Sequence, residues 1–565
     1  MASSGNFCTW NPLDPIDSNI TLSQGNTRSL CPASGYPETY GNFGMRSGKW
    51  YAEFYLDYVQ GGSASYFAIG IAQQNAKLYT STPGLGRTNT IIYLGNNGKT
   101  EKDGTVQSYG NTYGQGHIIG IAFDADNGKI YFSKNGTFQN SGNPANGTNP
   151  AYTSIDLTDD WFFSFTDSYN GQNGSLIINT GQDSTFGGNE TAGGNADANG
   201  FGDFRYAPPT GFLALCSANL PISDDIDPAQ TDDDFPQKQV NAVTYTGNAS
   251  TRNITGVGFQ PDLVITRGRS TASVGKVVDS SRGATKVLQT HSSSAESTDS
   301  NGLTAFGSDG YTLGSDAGYN NNSTTYVAYC WKANGGTKVS NSDGATTTTV
   351  QANTKAGFSI VECPQYTPNS TFGHGLNSAP TFIIAKTYEQ GAQWAVYHSG
   401  LDSGKILYLS SNSAQFTSSI FNSTAPTSSV FSMGASYAGT GAIIAYCWHD
   451  VEGYSKFGKY EGNANADGAF IYTGFRIRIL IIRVLNVASD GWLIYDTARE
   501  TFNPLDTVLQ PHLSSAEYSN SAFTLDILSN GFKLRSSDNA VNGTSYDPYI
   551  YMAWGDVPFK YNNTF

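Results

Sequence analysis

Charge is scarce in this chain. Asp, Glu, Lys and Arg make up 14% of its 565 residues, and 31 basic side chains face 46 acidic ones, for a net charge of -15. That balance excludes a nucleic-acid binder, which must neutralise phosphates with Lys and Arg, and no basic stripe breaks it. Long apolar runs are missing too. The longest, Ile477 to Leu485, is interrupted by Arg478 and Arg483 and falls far short of the ~20 residues a membrane helix needs, so it reads as a buried strand. Met1 to Asn6 has no signal-peptide character, so the expectation is synthesis in the cytoplasm without export or membrane insertion. Patterns rich in Ala, Leu, Glu and Lys are nearly absent and no heptads occur, which argues against a coiled-coil shaft. The six cysteines, Cys8, Cys31, Cys216, Cys330, Cys363 and Cys447, form no Cys-x-x-Cys pair, so neither a metal centre nor a cofactor is expected.

What is abundant fits an all-β chain. There are 64 Gly, 34 Tyr and 31 Phe, with Ser, Thr and Asn crowding the remainder. Gly, Asn and Ser make turns, while aromatic and β-branched residues suit a pleated, half-buried surface. At this length several domains are expected.

One phrase recurs. Ala328-Tyr329-Cys330-Trp331 returns as Ala445-Tyr446-Cys447-Trp448 and, worn, as Met552-Ala553-Trp554. Upstream of each copy stands a short apolar strand closed by a basic residue: Pro261 to Arg267, Pro380 to Lys386, Ile479 to Arg483. Next come Val277 to Arg282, Ala395 to Ser399 and Leu493 to Arg499, then a third strand, then serine-rich turns at Ser292 to Glu296, Ser410 to Gln415 and Ser514 to Glu517. The invariant order predicts three homologous antiparallel β-sandwich-like repeats over 238–336, 356–455 and 456–565. Trp331, Trp448 and Trp554 are the expected buried anchors, and cysteine giving way to Ala553 reads as a small core position.

The first half differs in kind. Gly48-Lys49-Trp50-Tyr51-Ala52-Glu53 opens an amphipathic strand, and Ile118 to Asp124 leads through Asp126-Asn127-Gly128 into Lys129 to Gly136. With Ile178 to Gln182, these segments resemble the SPRY (B30.2) family. That resemblance implies a bent two-sheet, concanavalin-like β-sandwich over residues 1–222 that binds partners through loops and has no catalytic centre. Asn143 to Tyr152 and Gly200 to Phe212 resemble the version found in structural proteins of tailed phages. Phe457 to Asn463 and Ala469 to Phe475 resemble units that accompany it in marine tailed-phage proteins, although Arg476-Ile477-Arg478 stands where a proline-containing turn is expected.

Between the halves, residues 223–237 read as an acidic, solvated linker; alternating carboxylates suit calcium, but the glycine and trailing glutamate of an EF-hand are missing. Residues 337–355 read as a second, Gly/Ser/Thr-rich linker. Glu296 and Glu517 correspond, with Gln415 between them, and are expected to serve serine turns rather than a glycosidase carboxylate pair. His291 and His512 also correspond, but no Gly-x-Ser-x-Gly accompanies them; His374, His398 and His449 are expected on surfaces or strand edges. No catalytic or metal-binding residue is therefore assigned. The candidate ligand contacts are loop aromatics, Tyr79, Tyr109, Tyr113, Tyr169, Tyr319 and Tyr437, because rigid amphipathic rings suit recognition and stack on sugars.

The resemblance implies a non-enzymatic virion protein at the tail or head surface of a phage. It would act as a tail-fibre or adhesin component, a homo-oligomer contacting other virion proteins and a host-surface glycan or protein. A capsid-decorating or head-fibre protein, a glycan depolymerase and an intracellular binder of a host factor are the alternatives.

Overall fold

The computed structural model describes residues 5–13, 20–31, 38–60, 67–73, 89–167, 173–435, 437, 441–488 and 491–561. Its strands are almost all antiparallel, and its contacts divide the chain into two compact units: Met1–Pro221 with Phe470–Tyr472, and Ile222–Ala469 with Thr473–Phe565.

The first unit is a sandwich of two sheets. In one, Lys49–Val59 lies between Gly174–Asn179 and Ile118–Asp124, with Lys129–Lys134 beyond. In the other, Trp161–Asp167 pairs with Phe67–Gln73, which pairs with Thr90–Leu94. The motif that opens the first sheet is held by its neighbours. Lys49 Nζ lies 3.1 Å from Asp124, the residue opposite it, and Asp124 also accepts from Asn127 in the hairpin turn. Gly128 turns that hairpin at φ 58°, and a Cβ there would stand 2.9 Å from Ile155 N and O. Glu53 is fully buried, and its carboxylate accepts from the backbone N–H groups of Arg205 and Tyr206, from Asn179 Nδ2 and from Tyr51 OH. Burial pushes Glu53 up to about 7 against those four donors. One strand residue thus anchors Arg205 and Tyr206 through their backbone.

The second unit is built around three larger sheets, each accompanied by smaller two- or three-stranded ones. Thr325–Trp331 is central in the first, between Val240–Thr246 and Leu263–Gly268, which continues to Lys276–Asp279 and Lys286–Gln289. Ile443–Trp448 is likewise central between Phe358–Cys363 and Phe382–Thr387, and Tyr549–Pro558 between Ser455–Tyr460 and Phe475–Val484. The registers correspond as well. Leu263 lies opposite Trp331 and Asp279, Phe382 opposite Trp448 and His398, and Ile479 opposite Trp554 and Asp496.

Alternation along each central strand sends its side chains to two different cores. Val327, Tyr329 and Trp331 enter one large core together with Ile444, Tyr446, Trp448, Ile550, Met552 and Trp554. Ala328 and Cys330 turn to a separate core with Ile254, Tyr311 and Leu313; Ala445 and Cys447 turn to another with Phe372 and Phe431. In the shared core the three tryptophans meet pairwise, with ring centroids 6.0, 5.4 and 5.8 Å apart and planes inclined at 66°, 71° and 69°. Such edge-to-face pairs are worth about 0.5–1.5 kcal/mol each beyond burial.

The three segments close on one another in a cycle. The basic residue at the end of each apolar strand is buried and donates to carbonyls of the serine turn in the preceding segment. Arg267 donates to Leu513 O and Ser515 O, Lys386 to Ser293 O as well as Ala392 O, and Arg483 to Asn412 O and Ser413 O. A second set runs the same way round: Tyr329 OH donates to Asp496, Tyr446 OH to Asp279, and the Tyr551 carbonyl lies 3.4 Å from His398 Nε2. Segments expected as separate domains therefore share a core, because each sheet has two apolar faces and only one is covered within its own segment.

Both expected linkers need correction. Within 223–237, Ile226 is fully buried in the shared core and Asp234 accepts from Thr231 Oγ1 at 2.7 Å and pairs with Lys355 at 3.2 Å. Within 337–355, Val339–Asn341 and Thr348–Asn353 are strands that extend the second sheet, with Val350 buried in its core. A run of β-branched residues, Thr346 to Val350, hidden among Gly and Ser, is enough to form a pairing strand. At the start of the third segment, Arg476 forms a two-bond pair with Asp556, and Arg478 donates to Ala242 O, so the expected turn is replaced by a strand running on from Phe475.

Candidate functional site

The expected ligand aromatics do not form a surface. Tyr79 and Tyr169 lie outside the described residues. Tyr113, Tyr319 and Tyr437 are buried, and Tyr109 is half-buried. The Tyr113 hydroxyl lies within hydrogen-bond reach of Phe67 O and Tyr93 O, and that of Tyr437 reaches Ala385 O and Gln393 O. Tyr109 OH accepts from Phe132 N, and the Tyr319 carbonyl accepts from Tyr245 OH. A phenol in a glycine-rich loop that folds inward satisfies strand-end backbone groups while its ring fills space, and that use wins here over exposure.

Three of the histidines are also interior. His374, His398 and His449 are buried, each with ring nitrogens in hydrogen-bond contact with backbone. Burial pushes His398 and His512 down to about 4, with Arg483 and Arg267 reinforcing the effect at His512. The cysteines are buried thiols; burial raises Cys8 to about 12 and Cys363 to about 11. Among the described residues no group of three or more His, Cys, Asp or Glu could hold a metal ion.

The chemistry that sets the three segments apart lies after the second strand of each sheet. In the first segment, Asp279 Oδ1 accepts from the N–H groups of Ser281 and Arg282, and Oδ2 from Arg282 Nε at 2.6 Å and Tyr446 OH at 2.7 Å. Arg282 Nη1 then reaches Glu296 at 2.9 Å and Nη2 the Val277 carbonyl. The third segment repeats this with Asp496, Arg499, Glu517 and Tyr329; Arg499 Nη1 lies 3.3 Å from Glu517, which also takes Arg269. Both arginine side chains are 1% exposed. Burial works against each guanidinium, yet the adjoining carboxylates outweigh it and hold both above the ordinary arginine value. Glu296 and Glu517 are thus partners of buried arginines, and not of serine turns as expected.

The second segment carries different residues at all three places. His398 occupies the register position of Asp279 and Asp496, Leu401 follows at the position of the arginines, and Gln415 stands for the glutamates. His398 Nδ1 accepts from Gly400 N at 2.9 Å, which leaves Nε2 to carry the proton toward Tyr551 O. Gln415 Nε2 donates to Asp402 Oδ2 and to Asn486, and Lys405 Nζ reaches the same Asp402 oxygen at 2.9 Å. A pocket of about 250 Å³ opens here, lined among others by Tyr397, His398, Leu401, Asp402, Lys405 and Phe421. Sequence reasoning missed it. The signal was the coordinated change from Asp, Arg and Glu to His, Leu and Gln at aligned positions.

Comparison with known proteins agrees with the division of the chain. The SPRY domain family model matches residues 49–150. Among solved structures, the SPRY domain of human HERC1 is 15% identical over 30% of this chain and 96% of its own, with a TM-score of 0.25. The TRIM65 PSpry domain is 15% identical over 30% of this chain and 91% of its own, with a TM-score of 0.22. Stonustoxin is 14% identical over 31% of this chain and 29% of its own, with a TM-score of 0.23. No curated protein matches. A model described as a domain of unknown function, DUF7483, matches residues 235–558, more than half of the chain. The protein therefore carries an N-terminal SPRY domain and belongs to the DUF7483 family.

Proposed function

We propose that the protein is a non-enzymatic virion component of a tailed phage, a tail-fibre or adhesin element that binds a host-surface glycan or protein. In this reading 238–336, 356–455 and 456–565 are three copies of one β-unit. The cyclic set of buried clamps, Arg267, Lys386 and Arg483, is the observation that carries it. Three sheets locked into one body make a rigid display scaffold, and the SPRY domain, binding through its loops, adds a further contact surface. Several copies of the chain presented together would gain avidity wherever geometry lets them engage at once.

The test has two parts. Purified particles are analysed by mass spectrometry for the chain, with electron microscopy of labelled virions to place it on tail or head. Purified chain is then incubated with host cells and with their surface polysaccharide. Presence in particles and binding without products support the reading. Absence from particles transfers support to an intracellular binder, and release of reducing ends to a depolymerase.

A further inference from the structure

Three aligned positions in this molecule hold the same task in two segments and not in the third. Asp279, Arg282 and Glu296, like Asp496, Arg499 and Glu517, fill the end of their sheet with a buried, mutually paired ion network. Removing an arginine alone would strand its carboxylates. In the second segment the aspartate, arginine and glutamate positions have all changed, so no charge is stranded, and the space opens as the 250 Å³ pocket.

We infer that this pocket is a binding site for a single pyranose ring. The half-buried Tyr397 supplies an aromatic wall, with Phe421 set edge-on to it at 5.9 Å. Leu401 and Ile406 add apolar surface, and Ser403, Ser418, Ser423 and Thr424 place hydroxyls among the lining groups. At the mouth, Asp402 is 49% exposed and is fixed through Oδ2 by Lys405 and Gln415. Its Oδ1 has no hydrogen bond among the described residues, which leaves a charged acceptor aimed by its own neighbours. An apolar face, a ring of hydroxyls and an oriented carboxylate acceptor match a sugar, which has an apolar C–H face and donates through its hydroxyls. Lys405 and the nearby Lys459 hold Asp402 below the usual carboxylate range, which keeps it a charged acceptor. The volume lies just under the range of drug-sized pockets, about 300–1,000 Å³, and accommodates one ring rather than a chain.

The inference takes up the glycan arm of the proposed function and rests on it only for where the sugar comes from. Saturation-transfer NMR on the full chain, with methyl glycosides of glucose, galactose, mannose, N-acetylglucosamine and rhamnose, tests it. At least one glycoside is expected to bind with a Kd in the ~mM range, and Asp402→Ala to weaken it roughly tenfold, as loss of a hydrogen bond to a charged group does. The triple change His398→Asp, Leu401→Arg, Gln415→Glu places the three charged groups of the other segments here, with Met552 standing where they have a tyrosine, and is expected to abolish transfer in a folded chain. Transfer to none of the five, or transfer that survives both Asp402→Ala and the triple change, overturns the inference. Sugar binding by a chain absent from purified particles would overturn the virion reading and leave the pocket standing.

Discussion

The Arg282 and Arg499 networks and the His398 pocket are the same place in a sheet, solved twice with buried ions and once without them. In the first two, each guanidinium is 1% exposed and satisfied on all sides by carboxylates and a backbone carbonyl. In the third, a neutral imidazole makes the corresponding backbone contacts and Leu401 carries no charge into the interior. The contrast teaches that what the fold requires there is satisfied polar groups, not an ion pair as such; a network can be dropped only when all its members go together.

The largest effect expected from breaking that contrast comes from Arg499→Leu, which copies one of the three changes. It leaves Asp496 buried against Tyr329 OH without its cation and is expected to cost about 3–5 kcal/mol in urea denaturation. Adding Asp496→His and Glu517→Gln should recover most of the loss, and failure to recover it would show that the two solutions are not interchangeable.

Acid should separate the two solutions next. His398 is held near 4 in the folded chain, below the ordinary histidine value of 6.5, so the unfolded state binds the extra proton. Its stabilising contribution is complete above pH 6.5 and is lost as pH falls toward 4, about 3 kcal/mol across that window. His398→Asp combined with Leu401→Arg and Gln415→Glu removes this component, so the variant's Tm should fall less between pH 7 and 4.5 than that of the parent. A parallel fall in both proteins would contradict the assignment.

The smallest effect is at the cysteine of the recurring phrase. Cys330 faces its own segment's core at the place where the third segment has Ala553, so Cys330→Ala is expected to cost only about 1 kcal/mol. Burial raises its pKa well above the ordinary thiol value, so thiol reagents should reach it only on unfolding.

Much of this organisation was legible in the sequence. The strand order and the Tyr-x-Trp alternation follow from period-two patterning and aligned phrases, and the SPRY hairpin from a motif whose turn glycine is sterically required. What could not be read was which way each sheet's second apolar face would turn. Nothing local distinguishes a face covered within its own segment from one covered by two others. For the same reason Arg267, Lys386 and Arg483 read as strand ends, although their partners lie in another segment. Loop aromatics were misplaced because Tyr113 and Tyr437 use their hydroxyls on backbone carbonyls distant in sequence.

Cyclic closure is the central claim, and native-state hydrogen exchange on the full chain with Lys386→Met tests it most directly. The change removes the clamp from the second segment to the Ser293 carbonyl of the first and leaves the other two clamps untouched. The account predicts that protection falls together, by about 1–3 kcal/mol, in Thr325–Trp331, Ile443–Trp448 and Tyr549–Pro558, because all three central strands open as one unit. Loss confined to Ile443–Trp448, with the other two strands unchanged, would contradict it.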